Sequence, residues 1–412
     1  MAGGRRADPR PAAPGRRAAG AAGGGVLVSA VRFWTLAALG CGLLLALFAW
    51  GFAQWHLGKH SAVVSERLLL LGELRRGAVQ RYFSTVQAEL RFWSSSQEII
   101  AIQSDLLDVW QREGEAASAR LHYVDHNPHP AGEYRALDDA GDGSRYSELH
   151  RGLHEAARLF VTERGYYNFF LISPGGDIMY SVEKDDDFAT SLVDGPYADT
   201  WLGRVFRRAR EGHELGVVAL SDMQSYAPSH GAPAMFIATA LRAADGRFLG
   251  VLAFELPTDE LLHIMNYAKG MGDSGETYLV GPDLLMRSDS RFSETSTVLQ
   301  QSVATASVER ALAGEQGVDV VEGYRGESVM SAYLPLPVGG RSWALMAEMD
   351  TQEIAREAAR ERPSIAGILA FIYGLSLWTL WYWRLRYLPE GAADAAMLND
   401  LVDSPDSPLL DA

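Results

Sequence analysis

Two uninterrupted apolar runs bracket a long amphipathic middle. The first is Val26 to Trp55, VLVSAVRFWTLAALGCGLLLALFAWGFAQW, and the second is Ile365 to Tyr382, IAGILAFIYGLSLWTLWY. A helix needs about 20 mostly apolar residues to cross a bilayer, so these patterns predict transmembrane helices over 26–55 and 364–384. Arg32 is the single charge in the first run, near its start, where its stem can snorkel. Trp378, Trp381, Tyr382 and Trp383 in the second suit the headgroup level. The first run exceeds the 7–15 residues of a typical signal-peptide core, which favours an uncleaved anchor.

Between the runs the periodicity changes twice. Ser65 to Glu113 lacks proline and has glycine only at Gly72 and Gly77. Leu71, Leu74, Ala78, Tyr82, Val86, Leu90 and Trp93 recur at steps of three and four, predicting a helix over 60–118. As a helix, the proline-free stretch from Ser65 to Glu113 would be about 70 Å long. Its apolar stripe fits either packing against the chain's own sheets or a dimer seam. Residues 120–150 are turn-rich, with NPHP and DAGDGS as loop signals. A helix follows from Tyr146 to Arg164, closed by Gly165.

Period-two signals then take over. YYNFFLIS and IMYSVE flank a Gly-rich turn and read as a hairpin; TWLGRVFRRAR reads as a helix; GVVALSDMQSY, AMFIATALRA and RFLGVLAFEL read as strands. The order repeats in shorter form: a GETYLVG/LLMRSDS hairpin, a helix from Gln300 to Leu312, then VDVVEGY, SVMSAYLPL and WALMAEM. The expectation is an α+β protein with two antiparallel-sheet modules, 119–268 and 269–350, on one long helix. A juxtamembrane helix over 351–363 leads to the second span.

Charge orients this layout. Arg5, Arg6, Arg10, Arg16 and Arg17 precede the first span against one acid, Asp8. The positive-inside rule then places both termini in the cytoplasm and the middle outside. Residues 1–25 are Gly, Ala, Pro and Arg and predict a disordered basic arm; the acidic stretch 385–412 predicts a disordered tail. The net charge of −15 excludes a phosphate-tracking surface and hence nucleic-acid binding. Cys41, the single cysteine, lies inside the first span, so the outer region has neither a disulfide nor a thiolate metal site. No Gly-x-Ser-x-Gly elbow, phosphate loop, HExxH or kinase signature occurs, which argues against an enzyme.

Several strings, taken in order between two spans, resemble the double-Cache extracytoplasmic sensor family of bacterial chemoreceptors, histidine kinases and membrane-bound nucleotide cyclases. They are Asn127-Pro128 with Pro130 and Gly132-Glu133; Asp142-Gly143-Ser144 with Tyr146; Gly165-Tyr166-Tyr167; Gly195-Pro196-Tyr197 with Asp199; Tyr226-Ala227-Pro228-Ser229 with Gly231 and Pro233; Gly275-Glu276-Thr277-Tyr278; and Met286 to Phe292. The resemblance implies two PAS-like modules, with a small ligand in the membrane-distal one and homodimerisation. Amino-acid-binding members carry an Arg-x-Trp-Tyr cluster, absent here. They also carry an Asp on the last distal strand, where this chain has Glu255, and Asn168 departs from their Gly-Tyr-Tyr-Asp string. The resemblance thus implies a ligand other than an amino acid.

Within the distal module Tyr167, Tyr180, Trp201, Arg204, Tyr226, Phe236 and Glu255 form the expected ligand-binding set, arranged around Glu255 and Arg204. Asp185-Asp186-Asp187 is an oxygen cluster of the kind that suits Ca²⁺, but consecutive acids cannot all face one ion, so it reads as a solvated acidic loop. The pairs His122/His126 and His150/His154 have i,i+4 spacing but no evident third metal ligand, so no metal or cofactor is expected. The reading is a membrane-anchored small-molecule sensor without its own output domain, signalling through a separate partner protein. A truncated or vestigial receptor, or a structural envelope protein using the fold for protein contacts, would show the same layout.

Overall fold

The computed structural model describes residues 20–112, 114–212, 217–267, 269–360 and 363–387. The basic arm over 1–19 and the acidic tail from 388 on lie outside the described residues. The chain divides into two compact units, 1–60 with 355–412, and 61–354.

In the first unit the apolar runs are helical. Helix α1 is continuous from Gly20 to Ser95, so it begins ahead of the expected boundary at residue 26. From Arg32 on it is apolar and long enough to cross a membrane; the apolar stretch Gly367–Trp383 within α9 (Pro363–Tyr387) is shorter. Phe33, Leu36, Leu43, Leu47 and Phe48 on α1, and Ile368, Phe371 and Leu375 on α9, expose their side chains. A Cβ at Gly42 would lie 3.4 Å from Tyr373 Oη, so α9 approaches α1 at a residue without a side chain.

The second unit departs from one uninterrupted helix over 60–118. Helix α1 ends at Ser95 and α2 starts at Gln97, with Ser96 extended between them. The serine run explains the break. Ser94 and Ser95 turn their hydroxyls onto the carbonyls of Arg91 and Phe92, offering the backbone an alternative to the helix ladder. Helix α2 runs to Trp110, α3 spans Glu115–Arg120, and α4, Arg145–Arg164, is capped by the Ser144 hydroxyl accepting from Ser147 N.

The distal sheet has the order β2-β1-β6-β5-β3, with β4 added on β5. Its members are β1 (Asn168–Ile172), β2 (Ile178–Ser181), β3 (Val218–Leu220), β4 (Gln224–Ser225), β5 (Pro233–Arg242) and β6 (Phe248–Leu256), all antiparallel pairs. Helix α5, Trp201–Glu211, is capped by Thr200. Register assigns the faces, because paired residues share a side and neighbours alternate. Asn168 pairs with Glu255 and Glu255 with Phe236, so these three share one face with Phe170, Ala253 and Ser181. Phe254, Phe169 and Tyr180 take the other, where Phe254 and Phe169 meet Phe160 of α4, and Phe169 meets Trp93 of α1, at ring distances of 5.3–6.5 Å. Gln103 of α2 pins the sheet by donating to the carbonyls of Ile172 and Leu249. It can do so because Gly250, at φ 136°, leaves the space its own Cβ would fill, 2.4 Å from Gln103 Nε2.

The proximal sheet has the order β7-β10-β9-β8: β7 (Glu276–Val280), β8 (Gly317–Glu322), β9 (Ser328–Val338) and β10 (Arg341–Asp350). It repeats the distal order without a counterpart of β2. The expected second hairpin is present only as isolated bridges, Val280 with Met286 and Leu285 with Ser302. Helix α6 (Asp259–Met265) precedes this sheet in the chain, and the helix of the second module is shorter than expected, α7 from Ala306 to Leu312. Helix α8 (Thr351–Arg360) follows β10 directly.

A buried ion pair joins the modules. Asp222, following β3, accepts from Arg287 Nε at 3.0 Å and Nη2 at 3.2 Å, and from Trp343 Nε1 on β10 at 3.0 Å. All three side chains are buried. Asp222→Ala is expected to lower the stability of the chain by about 3 kcal/mol, since it strands a buried guanidinium. Asp283→Ala, which removes Arg287's half-exposed second partner at 2.9 Å, should cost less than about 1 kcal/mol. Thermal melts of both variants followed by tryptophan fluorescence check this ordering.

Candidate functional site

On the face of the distal sheet that carries Phe170 and Phe236, three carboxylates converge. Glu255 comes from β6, and Asp185 and Asp187 from the loop that follows β2. This loop is the Asp185-Asp186-Asp187 triplet, and it is not a solvated loop. Asp187 and Asp185 are buried and Asp186 alone is exposed. The fold-back has identifiable causes. Asn168 Oδ1 accepts from the backbone N–H of Val182 and Glu183, and fixes the root of the loop. Lys184 takes a left-handed conformation, φ 56°, and Phe188 is fully buried with its N–H on Asp185 O at 2.9 Å. Ala189 N then returns to Ile178 O at 3.1 Å.

Each carboxylate has a hydroxyl neighbour and an oxygen left over. Ser229 Oγ donates to Glu255 Oε1 at 2.6 Å and Tyr226 Oη donates to Asp187 Oδ2 at 2.7 Å, while the Tyr167 hydroxyl lies near enough to Asp185 to favour its ionised form. Glu255 Oε2, Asp187 Oδ1 and Asp185 Oδ2 are buried without a partner, as is Asn168 Nδ2. Among the described residues no Lys or Arg forms an ion pair with Asp185, Asp187 or Glu255. Lys184, buried in the same loop, turns its ammonium to the carbonyls of Ser181 and Val182 and toward the rings of Tyr123 and Tyr180.

Electrostatics follow from burial first and mutual repulsion second. Desolvation pushes Asp187 up to about 7, helped by Asp185 and Asp186 and opposed by the Tyr226 hydrogen bond. Asp185 is pushed up to about 6 by burial, opposed by the Tyr167 hydroxyl and the nearby His230. Burial raises Glu255 well above the usual carboxylate range, with Asp187, Asp185 and Glu183 adding to it. A buried carboxylate with an open oxygen and no Lys or Arg partner can accept from a further donor or a cation.

The expected ligand set divides into three places. Tyr167, Tyr226, Phe236 and Glu255 meet: Tyr226 packs edge-on against Phe236 at 4.8 Å, and Tyr167 N donates to Glu255 O at 3.0 Å. Tyr180 is on the opposite face, as its pairing with Leu171 dictates. There it hydrogen-bonds His154 Nδ1 at 2.8 Å. Trp201 and Arg204 sit on α5 and stack on each other at 4.8 Å, and Arg204 makes no ion pair with Glu255 among the described residues. The grouping around both Glu255 and Arg204 is therefore replaced by one around Glu255, Asp187 and Asp185. Residues not anticipated are Asp185, Asp187 and Ser229; Tyr226 and Ser229 already lie together in one quoted string, and the acid triplet directly follows β2.

The histidine pair on α4 is buried and hydrogen-bonded, His150 Nδ1 to Asp138 O and His154 Nε2 to Arg135 O, both at 2.8 Å. Burial and Lys184 depress both, His154 to about 2. No group of three or more His, Cys, Asp or Glu able to hold a metal ion occurs among the described residues.

A sequence profile of the Cache domain, dCache_1, matches residues 96–358, and the chain belongs to that family. No curated protein matches it. Solved structures that resemble it are ligand-binding or sensory domains of chemoreceptors. One is CtaA of Pseudomonas fluorescens with L-serine, at 14% identity and TM-score 0.42, covering 71% of this chain and 99% of that one. A second is PctB of Pseudomonas aeruginosa with L-Arg, at 14% and 0.43, covering 76% and 99%. A third is Tlp3 of Campylobacter jejuni, at 12% and 0.44, covering 74% and 99%. These likenesses carry no argument about what this chain binds.

The pH dependence of stability has a definite sign. The three acids titrate higher folded than unfolded, so the stability tied to their neutral forms is complete below about pH 4; for Asp185 and Asp187 it is lost as pH rises through about 6 and about 7, and Glu255 acts in the same direction. His150 and His154, depressed in the fold, act oppositely below about pH 6.5. Asp187→Asn isolates the acid contribution. It should raise the melting temperature by several degrees at pH 8 and change it little at pH 5, as thermal melts at the two values will register.

Proposed function

We propose that this chain is a membrane-anchored extracytoplasmic sensor whose distal module takes a small cationic ligand, an organic amine, at Glu255, Asp187 and Asp185. The carrying observation is the set of three buried carboxylates, each with an unpartnered oxygen and none ion-paired to a Lys or Arg among the described residues. An ammonium has three donors and no acceptor, which matches three open oxygens. Tyr226, Phe236 and Tyr167 supply an aromatic wall, and ring faces attract cations. Bound amine would restore the ionised state of the acids and relieve their repulsion, so binding itself favours one arrangement of the loop from Ser181 to Ala189.

The reading includes two spans with both termini cytoplasmic, supported by the apolar α1 and α9 and by the arginines ahead of the first. It also includes a homodimer and a separate signalling protein as the receiver. The mechanism is binding and displacement, with no bond made or broken.

Putrescine is a suitable probe. It should raise the melting temperature of the detergent-solubilised chain in a dose-dependent way, and bind more weakly at pH 5, where protons compete. Glu255→Gln should leave the ligand-free protein as stable or more so, and weaken putrescine by about 2–5 kcal/mol. A several-degree loss of stability in the ligand-free variant, or unchanged putrescine affinity, would sink the assignment. Topology has its own check: a reporter fused after Ala412 is expected to be active in the cytoplasm and silent in the periplasm.

A further inference from the structure

A cleft of about 390 Å³, which the acidic cluster does not line, opens between the two modules. Helix α5 forms one wall, with Trp201, Arg204 and Arg208; the β9–β10 turn forms the other, with Gly339, Gly340 and Arg341. Arg204 and Arg341 reach the same indole from different modules. Their guanidinium carbons lie 4.8 and 4.9 Å from the Trp201 ring. Arg208 Nη1 donates to Gly339 O at 3.3 Å, which steadies it beside the turn. Both turn glycines have positive φ, 58° and 82°, and a Cβ at Gly339 would lie 2.4 Å from Leu220 O, so the turn is seated tightly on the distal module.

The charge is one-sided. Three guanidiniums line the cleft, and none of the three forms an ion pair among the described residues. The single acid on the wall, Asp222, is already taken by Arg287 and Trp343. This happens in a chain whose net charge is −15, where carboxylates are abundant elsewhere. Stacking on Trp201 holds two of the forks in place before anything binds, which reduces the ordering cost that exposed arginines otherwise carry. The volume lies in the range of small-molecule pockets.

We infer that this cleft is a binding site for a small, multiply charged oxyanion, an organic carboxylate or phosphate, held by Arg204, Arg208 and Arg341. Planar forks suit both groups, since each accepts paired N–H donors. The site is independent of the amine site: it uses other residues and the opposite charge. Because its walls come from both modules, an occupant ties α5 to the β9–β10 turn and stabilises their docked arrangement by mass action. The protein would then read two ligands, a cation within the distal module and an anion at the junction.

The test uses the full chain in non-ionic detergent. Citrate and inorganic phosphate are titrated against sodium chloride at matched ionic strength, by calorimetry and by thermal melts. Binding heat and a concentration-dependent rise in melting temperature are expected from at least one of them. Both should weaken as ionic strength is raised. Arg204→Gln and Arg341→Gln should each reduce affinity roughly tenfold or more, and the double variant should abolish it. Glu255→Gln should keep full anion affinity, and putrescine should still bind the double variant, so failure at one site is read separately from failure at the other. A response to citrate alone assigns a carboxylate, to phosphate alone a phosphate, and to both an oxyanion site of either kind. If the double variant does not fold, Arg341→Glu serves in its place. No response to either anion in the unaltered chain, or a response that survives the double variant or Arg341→Glu, overturns the inference.

Discussion

Removing a guanidinium and a carboxylate from water costs more than their attraction returns unless every donor is placed. At the junction of the two modules that condition is met. Arg287 puts Nε and Nη2 on Asp222, Nη1 on Leu285 O, and shares Nη2 with Asp283, while Trp343 adds an indole N–H to the same carboxylate. The arrangement exists only when β3, the loop after β7 and β10 are all in place. It is therefore a test of register in two sheets at once: a slip in either would leave a buried charge unpaired. The basic cleft depends on it directly, because Asp222 is occupied and cannot neutralise the arginines beside it.

Much of the fold was legible from periodicity. The long helix, the β1–β2 hairpin around its Gly-rich turn, and the strands β5, β6, β9 and β10 all carry patterns that local physics decides. Two features were not legible, for different reasons. Ser94 to Ser96 break the helix through side-chain hydrogen bonds to the backbone, an effect that apolar spacing does not register. LLMRSDS has strand character yet forms isolated bridges, because its neighbours in space are supplied by a segment near Ser302 that local sequence cannot place.

The acidic face of the distal sheet was legible in half. Tyr226, Phe236 and Glu255 could be grouped because they lie on or beside strands whose pairing is readable. Tyr180 was misplaced for want of register: its alternation is plain, but which face is which depends on Leu171 being its partner. The acid triplet was misread because three consecutive aspartates look solvated. Burying two of them requires Asn168, the left-handed Lys184 and Phe188 together, a tertiary arrangement that overrides composition. Such an arrangement runs against local expectation, since buried carboxylates with an open oxygen are a cost that folding alone would remove.

Phe254 and Glu255 are consecutive residues facing opposite sides of one strand. Glu255 belongs to the acidic cluster; Phe254 sits 5.3 Å from Phe160 and 5.4 Å from Phe169, which in turn lie 5.0 and 5.3 Å from Trp93 of the long helix. One peptide unit thus separates the acidic cluster from the aromatic packing against the long helix. Substitutions at positions 185, 187, 229, 236 and 255 change the chemistry of one face of the sheet and leave the ring contacts among 254, 169, 160 and 93 on the other in place.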